Sequence, residues 1–396
     1  MNPKEAQKIL DRRVLGFFPN KEEVLGRLAS EKQLSFYLGI DPTGPSLHLG
    51  HTVPALLLKS IGALGHRIII LIGDFTARIG DPDKSSARQQ LSAEEVAEHM
   101  KNYEGQLKKI FGDVSYEVRH NQDWLGLLNL TDVIDLTSKA TVQQMMIRDM
   151  FQERVKNDKP VYVHELLYPL LQGYDSVAMD VDGEVGGNDQ TFNMLVGRDL
   201  LREYRGKDKI VLATRLLVDA ASGKKVSKTE GGMISLDDSP GVIFQKISNT
   251  VPNEMIKTVF ELCTEVEIQE IESRERRAQE EGDYKSWNKE LAYKIVNMYH
   301  GESAAHQALE NYESLASGKI PEEIKEIRGS FGNDATLADV LFETGLISSK
   351  SEAKRLIEQG AVKVNNIQIK NVFDPANLSG GDIIKVGTGT VVKYMN

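Results

Sequence analysis

His66-Arg67-Ile68-Ile69-Ile70-Leu71-Ile72-Gly73-Asp74 is the stretch on which the fold turns. Its apolar residues run without interruption and stop at a glycine. A strand with one wet face alternates; an unbroken run of strand length reads as a parallel strand covered on both faces. Upstream, Ser35-Phe36-Tyr37-Leu38-Gly39-Ile40 has strand character and enters Asp41-Pro42-Thr43-Gly44-Pro45, a turn that cannot be helical. Helical periodicity resumes from His48 to Ala63. Downstream come a predicted helix at about 92–111, a strand at 115–119, helices at 166–171 and 191–204, and a strand Ile210-Val211-Leu212-Ala213-Thr214. Strands and helices in alternation predict an α/β fold with a doubly wound parallel sheet.

Further out the texture changes. Residues 1–33 read as helical and polar. Residues 131–157 read as helical and methionine-rich (Met145, Met146, Met150), a composition suited to irregular core or to a subunit interface. From 238 to 318 the pattern is almost wholly helical, with many charges. Ser317 to Pro321 and Gly329 to Asp334 have linker composition. Residues 335–396 predict two short helices, at 336–344 and 350–359, followed by strands at 361–364 and 382–386. The expected domains are 1–230 (α/β), 231–320 (all-helical), a linker at 321–334 and a small α+β unit at 335–396.

At 396 residues, 40% hydrophobic and 27% charged, the chain has room for more than one core. Its net charge of -10 excludes a polybasic nucleic-acid binder, so any RNA contact must come from local basic patches. The single cysteine, Cys263, allows neither an internal disulfide nor a cysteine-rich zinc site. The first ten residues lack an apolar signal core and no run has the length of a membrane span, so a cytoplasmic protein without a membrane partner is expected.

Two segments carry chemistry. His48-Leu49-Gly50-His51 follows a buried strand and opens a helix. Ligands of open α/β sheets bind at the carboxyl ends of the strands, and a helix N-terminus presents unpaired N–H groups to an anion. Imidazoles three residues apart share a helix face and can both bond phosphate oxygens, while Gly50 lets a flat base approach the backbone. Half a metal site is the competing reading, but no third ligand cluster accompanies the pair, so no metal is assigned. Far downstream, Ala221-Ser222-Gly223-Lys224-Lys225-Val226-Ser227-Lys228-Thr229 is a small cationic loop after a strand, with lysines spaced to meet the β and γ phosphates of ATP. By itself it also reads as a solvated basic turn.

The two segments together, in this order, resemble the paired signatures of class I aminoacyl-tRNA synthetases, known as HIGH and KMSKS. Within that class the likeness is to the tyrosyl-tRNA synthetase family. It is carried by Tyr37-Leu38-Gly39-Ile40-Asp41-Pro42-Thr43, by Ile72 to Pro82, by the Y-x-x-x-Q-x-x-D pattern from Tyr168 to Asp175, and by Gly186-Gly187-Asn188-Asp189-Gln190, so that it covers essentially the whole chain. The resemblance implies a Rossmann-like catalytic domain, ATP as substrate with Mg²⁺ bound to it, and tyrosine and tRNA(Tyr) as partners. It implies that Tyr37 and Asp175 meet the phenol of tyrosine, and that Asp81, Tyr168 and Gln172 hold its ammonium with Thr76 nearby. Asp41 and Gln190 would line the adenylate region, with Thr43 and Gly50 at ATP and Asp189 at the ribose. His48, His51, Lys225, Lys228 and Thr229 would act on the phosphates.

Some positions depart from the family pattern. Val226 and Thr229 replace the nominal Met and final Ser, and both lysines are kept. Thr191 and Glu184 stand where one branch of the family has Trp and Gln. Asp83-Lys84-Ser85-Ser86-Ala87-Arg88 is one residue shorter than the usual mobile loop, with Lys84 and Arg88 keeping the spacing for phosphate contacts. Residues 335–396 resemble the RNA-binding module first named from small-ribosomal-subunit protein four, through Leu356 to Asn365, and their acidic and basic residues nearly balance. Lys350, Lys354, Arg355 and Lys363 are the expected RNA contacts, with the helical domain facing the anticodon stem. A homodimer joined through the 131–157 surface is also expected. A tryptophanyl relative, a non-catalytic RNA-binding descendant and a small-molecule adenylyltransferase are the competing readings. The C-terminal module argues against the first, the intact His and Lys pairs against the second, and the second motif with the tail against the third.

Overall fold

The computed structural model describes all residues except 1–2, 31, 83–89, 219–232, 318–324, 330, 333–334, 348–349, 387–389 and 396. It divides into two compact units, one formed by Met1–Asp238 with Thr250–Leu291, the other by Ser239–Asn249 with Ala292–Asn396.

The first unit is built on a six-stranded sheet. Its strands are β1 (Val14–Phe18), β2 (Ser35–Ile40), β3 (Arg67–Ile72), β4 (Glu117–His120), β5 (Gly183–Gly187) and β6 (Ile210–Thr214), in the order β1-β6-β5-β2-β3-β4. All neighbours run parallel except the edge strand β1, which is antiparallel to β6. From β2 the chain winds outward through β3 and β4. It then returns to the far side of β2 to lay down β5 and β6. The boundary between β2 and β5 is therefore the switch point, where the two connections diverge and leave a crevice at the strands' carboxyl ends.

Register places Phe36 beside Ile68 and Gly183 on one face, and Tyr37 beside Ile69 and Glu184 on the other. Helix Leu49–Ala63 covers the first face; Gly62 on it lies so close to Ile68 that a Cβ would come within 2.8 Å of the Ile68 side chain. The second face carries helices Val163–Met179 and Thr191–Arg205. These two cross at Gly173 and Gly197, where a Cβ on Gly173 would stand 3.0 Å from the Gly197 nitrogen. Glycine at both positions lets the backbones close in, which brings side chains of both helices to the same crevice.

The first 33 residues are not all helix. Helices Pro3–Arg13 and Lys21–Leu28 flank β1, whose Val-Leu-Gly-Phe-Phe has strand composition and gains a partner in β6. The helix expected at 92–111 is two, Ala93–Met100 and Tyr103–Phe111, and the first opens on a capping box of Ser92 and Glu95. The 131–157 stretch is three helices, Leu130–Ser138, Val142–Met145 and Asp149–Lys156, restarted by Thr141 as an N-cap. Cys263 is buried, and burial pushes its thiol up to about 12. Among the described residues no helix is long and apolar enough to cross a membrane.

The second unit carries a five-stranded sheet with β7 (Lys325–Arg328), β8 (Val362–Val364), β9 (Ile367–Gln368), β10 (Ile383–Val386) and β11 (Thr390–Met395), ordered β7-β11-β10-β8-β9. β7 lies inside the segment expected as linker; Ile327 enters the core as β7 pairs parallel to β11. Helices Leu337–Glu343 and Lys350–Glu358 contribute Leu337, Leu341, Ala353 and Ile357 to the same core. Asn365 and Asn366, both at positive φ, turn β8 into β9 as a two-residue hairpin.

Candidate active site

At the switch point lies a cavity of about 730 Å³. It is lined by the ends of β2 and β5, the loops that follow them, helix Val163–Met179 and the start of helix Leu49–Ala63. Every described residue named above as a candidate for tyrosine or ATP reaches it: Tyr37, Asp41, Thr43, His48, Gly50, His51, Thr76, Asp81, Tyr168, Gln172, Asp175, Asp189 and Gln190. The expectations at Lys225, Lys228 and Thr229, and at Lys84 and Arg88, lie outside the described residues.

At one end His48 is the N-cap of its helix. Its Nδ1 accepts the Gly50 N–H at 3.1 Å, and Nδ1 of His51 accepts the His48 N–H at 3.2 Å. The rings stack with centroids 3.8 Å apart. With both Nδ1 atoms accepting, each neutral ring carries its proton on Nε2, the donor it can offer a phosphate oxygen. The loop before the pair is pinned from helix Tyr103–Phe111: the Tyr103 hydroxyl donates to the Gly44 backbone carbonyl at 2.8 Å, and the Gln106 side-chain Oε1 accepts the Leu47 N–H at 2.6 Å. Leu47 and Leu49 also exchange backbone bonds with Leu236 and Ile234 (2.9 and 3.0 Å). Leu217 and Met233, on either side of the second motif, line the same cavity as His48.

In the middle, Asp41 accepts from Thr76 Oγ1 at 2.7 Å and from the Tyr168 hydroxyl at 2.8 Å. Gly73 permits this: a Cβ there would stand 1.9 Å from Asp41 Oδ1. Because Tyr168 donates to Asp41, its oxygen lone pairs remain to accept from a cation. Burial, followed by Asp41 and Asp81, holds the Tyr168 phenol well above the ordinary tyrosine range, so it stays neutral. Asp81 accepts from Gln190 at 2.9 Å, from Asn193 at 3.2 Å and from Arg148 at 3.0 Å. Asn193 also bonds the Gln172 carbonyl at 2.9 Å and thereby fixes it as an acceptor.

At the far end Asp175 is buried and accepts Trp124 Nε1–H at 2.8 Å and Asn121 Nδ2–H at 3.3 Å. Burial raises its carboxyl well above the usual range, against the pull of those two donors. Tyr37, wholly buried, is raised as well, by burial first and then by Glu184 and Asp175. Tyr37 and Asp175 thus bring a buried hydroxyl and a buried carboxyl to the same cavity, a slot lined by one donor-acceptor and one acceptor. Asn121, Trp124, Arg148, Ser176, Asn193 and Lys209 belong to this network and were not singled out from sequence; only the place of Asn193 three residues after Gln190 was a signal.

The chain belongs to a class of enzyme this geometry fits: the model for class I tRNA synthetases specific for W and Y matches residues 29–317, and a model for the S4 domain matches 336–374. Within that class it is a member of the tyrosine--tRNA ligases. It is 39% identical over 391 residues to the tyrosine--tRNA ligase of Thermotoga maritima, covering 98% of this chain and 96% of that one. It is 41% identical over 384 residues to that of Carboxydothermus hydrogenoformans, covering 93% and 92%. The fold is that of the C-terminally truncated mitochondrial tyrosyl-tRNA synthetase of Aspergillus nidulans (TM-score 0.67, 23% identity, 78% of this chain and 94% of that one). It is also that of the Archaeoglobus fulgidus enzyme solved with L-tyrosine (TM-score 0.61, 20% identity, 78% and 100%).

Proposed function

We propose that the cavity at the switch point is where this ligase activates tyrosine, its residues divided among the phenol, the ammonium, the ribose and the phosphates. The enzyme joins tyrosine to ATP as tyrosyl-adenylate and transfers it to the 3′-terminal adenosine of tRNA(Tyr). In the first step a carboxylate oxygen of tyrosine forms a bond to the α-phosphorus, and the bond to the pyrophosphate oxygen breaks. The chemistry calls for no protein nucleophile, so catalysis is positioning and charge stabilisation.

Tyr37 and Asp175 take the phenol. Tyr168 O, the Gln172 carbonyl and Asp81 take the ammonium, supported by Thr76 through Asp41. Asp189 holds the ribose, Gln190 steadies Asp81, and Thr43 and Gly50 border the nucleotide. His48 and His51 donate to the phosphates. Lys225, Lys228 and Thr229 clamp the leaving pyrophosphate, with Lys84 and Arg88 as further phosphate contacts. Mg²⁺ enters with ATP, held by phosphate oxygens and water; among the described residues no three His, Cys, Asp or Glu side chains form a metal cage. The observation that carries the reading is the convergence of the stacked imidazoles and the Tyr37–Asp175 slot on one cavity. Tyrosine-dependent ATP–pyrophosphate exchange tests it, with tryptophan as control; exchange supported equally by tryptophan overturns the pocket assignment.

The S4 domain and the helices at 231–320 would hold the tRNA, the latter at the anticodon stem. Lys354, Arg355 and Lys363 are exposed, and cations so placed suit backbone phosphates. Lys350 is engaged by Asp339 at 2.7 Å, so it offers less to RNA. A homodimer would form through the surface that sequence singled out. Ile134, Val142, Ile147 and Val155 within that 131–157 stretch, and Leu127, Leu130 and Val163 flanking it, are each more than half exposed, and exposed apolar side chains in such number call for a partner. Ile134→Asp is expected to yield a monomer by multi-angle light scattering, while a wild type already monomeric at micromolar concentration rules the interface out. A reducing cytoplasm suits the single buried cysteine.

A further inference from the structure

Just outside the cavity lies a lysine that none of these roles uses. Lys209 immediately precedes β6, and its side chain is 0% exposed. Its ammonium is paired with the Glu184 carboxylate on β5 and donates to Ser176 Oγ at 2.5 Å. Ser176 Oγ in turn lies 3.0 Å from the Tyr37 hydroxyl, and the ammonium sits 5.6 Å from the centre of the Tyr37 ring. A Cβ on Gly197 would come within 2.7 Å of the Lys209 nitrogen, so glycine there opens the space the ammonium fills. A charge this deep is costly even when paired, and apolar residues of like volume commonly serve packing better. A role in setting proton directions accounts for it.

An ammonium can only donate. Ser176 Oγ therefore accepts from Lys209. An oxygen polarised by a cation becomes a poorer acceptor and a better donor for its next bond. Ser176 accordingly gives its proton to the Tyr37 oxygen; with Glu184, which also lies within reach of that hydroxyl, held by the Lys209 ammonium, the Tyr37 O–H is left to turn toward the cavity. Each Asp175 oxygen already receives a protein donor, and these two bonds favour the ionised, accepting carboxylate against the upward push of burial. A phenol between them accepts from Tyr37 and donates to Asp175. Every hydrogen bond then points the same way, from Lys209 to Asp175.

We propose that Lys209, through Ser176, is a positioning residue that fixes Tyr37 as a donor to the substrate's phenol oxygen and so sets part of the preference for tyrosine over phenylalanine. This rests on the assignment of Tyr37 and Asp175 to the phenol, and the test separates the two. ATP–pyrophosphate exchange is measured with tyrosine and with phenylalanine for Ser176→Ala, Tyr37→Phe, their double variant and Asp175→Asn. Ser176→Ala is expected to lower the tyrosine-to-phenylalanine ratio of kcat/KM by on the order of tenfold. The change should appear in KM for tyrosine and leave KM for ATP unmoved. In the Tyr37→Phe background it should vanish, because a group acting only through that hydroxyl has nothing left to act on.

The double variant Glu184→Gln with Lys209→Met removes the cation without stranding its partner and should match Ser176→Ala. A ratio unmoved by Ser176→Ala, while Tyr37→Phe and Asp175→Asn lower it, overturns the relay and leaves the phenol assignment standing. A Ser176→Ala loss that persists undiminished in the Tyr37→Phe background also overturns it, since that is the signature of packing alone. A ratio unmoved by Tyr37→Phe and Asp175→Asn sinks the phenol assignment and the relay together.

Discussion

Lys228→Ala is expected to lower the rate of tyrosyl-adenylate formation by about 10²–10³-fold, the effect typical of removing one group that meets charge developing in a transition state. The reasoning starts at the leaving group. As the α-phosphorus accepts the tyrosine carboxylate, negative charge moves onto the departing pyrophosphate. The described end of the cavity presents the stacked His48 and His51 rings, whose Nδ1 atoms accept backbone N–H bonds, so that each ring would meet a phosphate through Nε2. A positive charge must come from elsewhere, and Leu217 and Met233 bring both flanks of the lysine-bearing segment to that cavity. A cation that acts only as charge moves should change kcat for exchange and leave tyrosine affinity alone, because on the proposed assignment it makes no bond to the amino acid. Rapid-mixing measurement of adenylate formation, with equilibrium dialysis for tyrosine, checks both halves. Wild-type adenylate formation in the variant would remove Lys228 from the mechanism; an equal loss of tyrosine binding would show that the substitution disturbs the whole cavity.

The sheet was legible because its strands differ so sharply from their surroundings. Arg67–Ile72 could hardly be anything but a covered strand, and Ile210–Thr214 repeats the pattern. β1 and β7 were missed for a physical reason: each is a short strand at the edge of its sheet, and the partner that makes it a strand, β6 or β11, lies far along the chain. Helix breaks at 101–102 and near 140 were lost because caps such as Thr141 look like ordinary polar residues inside a periodic run. At the site, the resemblance singled out Tyr168, Gln172 and Asp175, whose spacing of four and three puts them on one face of helix Val163–Met179. The pairings that orient them had no such signal. Arg148 with Asp81 joins two loops far apart in the chain, and Lys209 with Glu184 is set by the register of β5 and β6 and by the space left at Gly197. Glu184 had stood out as a departure from the family pattern, and the buried lysine beside it supplies its partner.

Asp175→Ala should abolish most of the preference for tyrosine over phenylalanine, by on the order of a hundredfold if one hydrogen bond between the phenol and a carboxylate is lost. On the proposed assignment the discrimination arises from what is left unpaired. With phenylalanine bound in the wild type, the Tyr37 donor and the Asp175 acceptor face a ring that offers neither partner, in a slot where burial already presses both pKa values upward. A site built to bond a hydroxyl rejects the analogue that lacks it far more strongly than an apolar pocket rejects a missing methylene. Removing the carboxylate takes away the partner of the phenol O–H and strands Trp124 Nε1–H and Asn121 Nδ2–H, both of which now point at Asp175. Tyrosine should then lose kcat/KM, while phenylalanine loses little or gains, because one of the two groups that penalised it is gone. Asp175→Asn separates the charge from the shape: its carbonyl can still accept one bond, and its amide must face a neighbouring donor. It should therefore fall between wild type and Asp175→Ala for tyrosine. Pyrophosphate exchange with both amino acids at matched ATP gives the ratio directly. Equal selectivity in wild type and Asp175→Ala would move the phenol out of this slot, and with it the assignment of Tyr37 on the opposite wall.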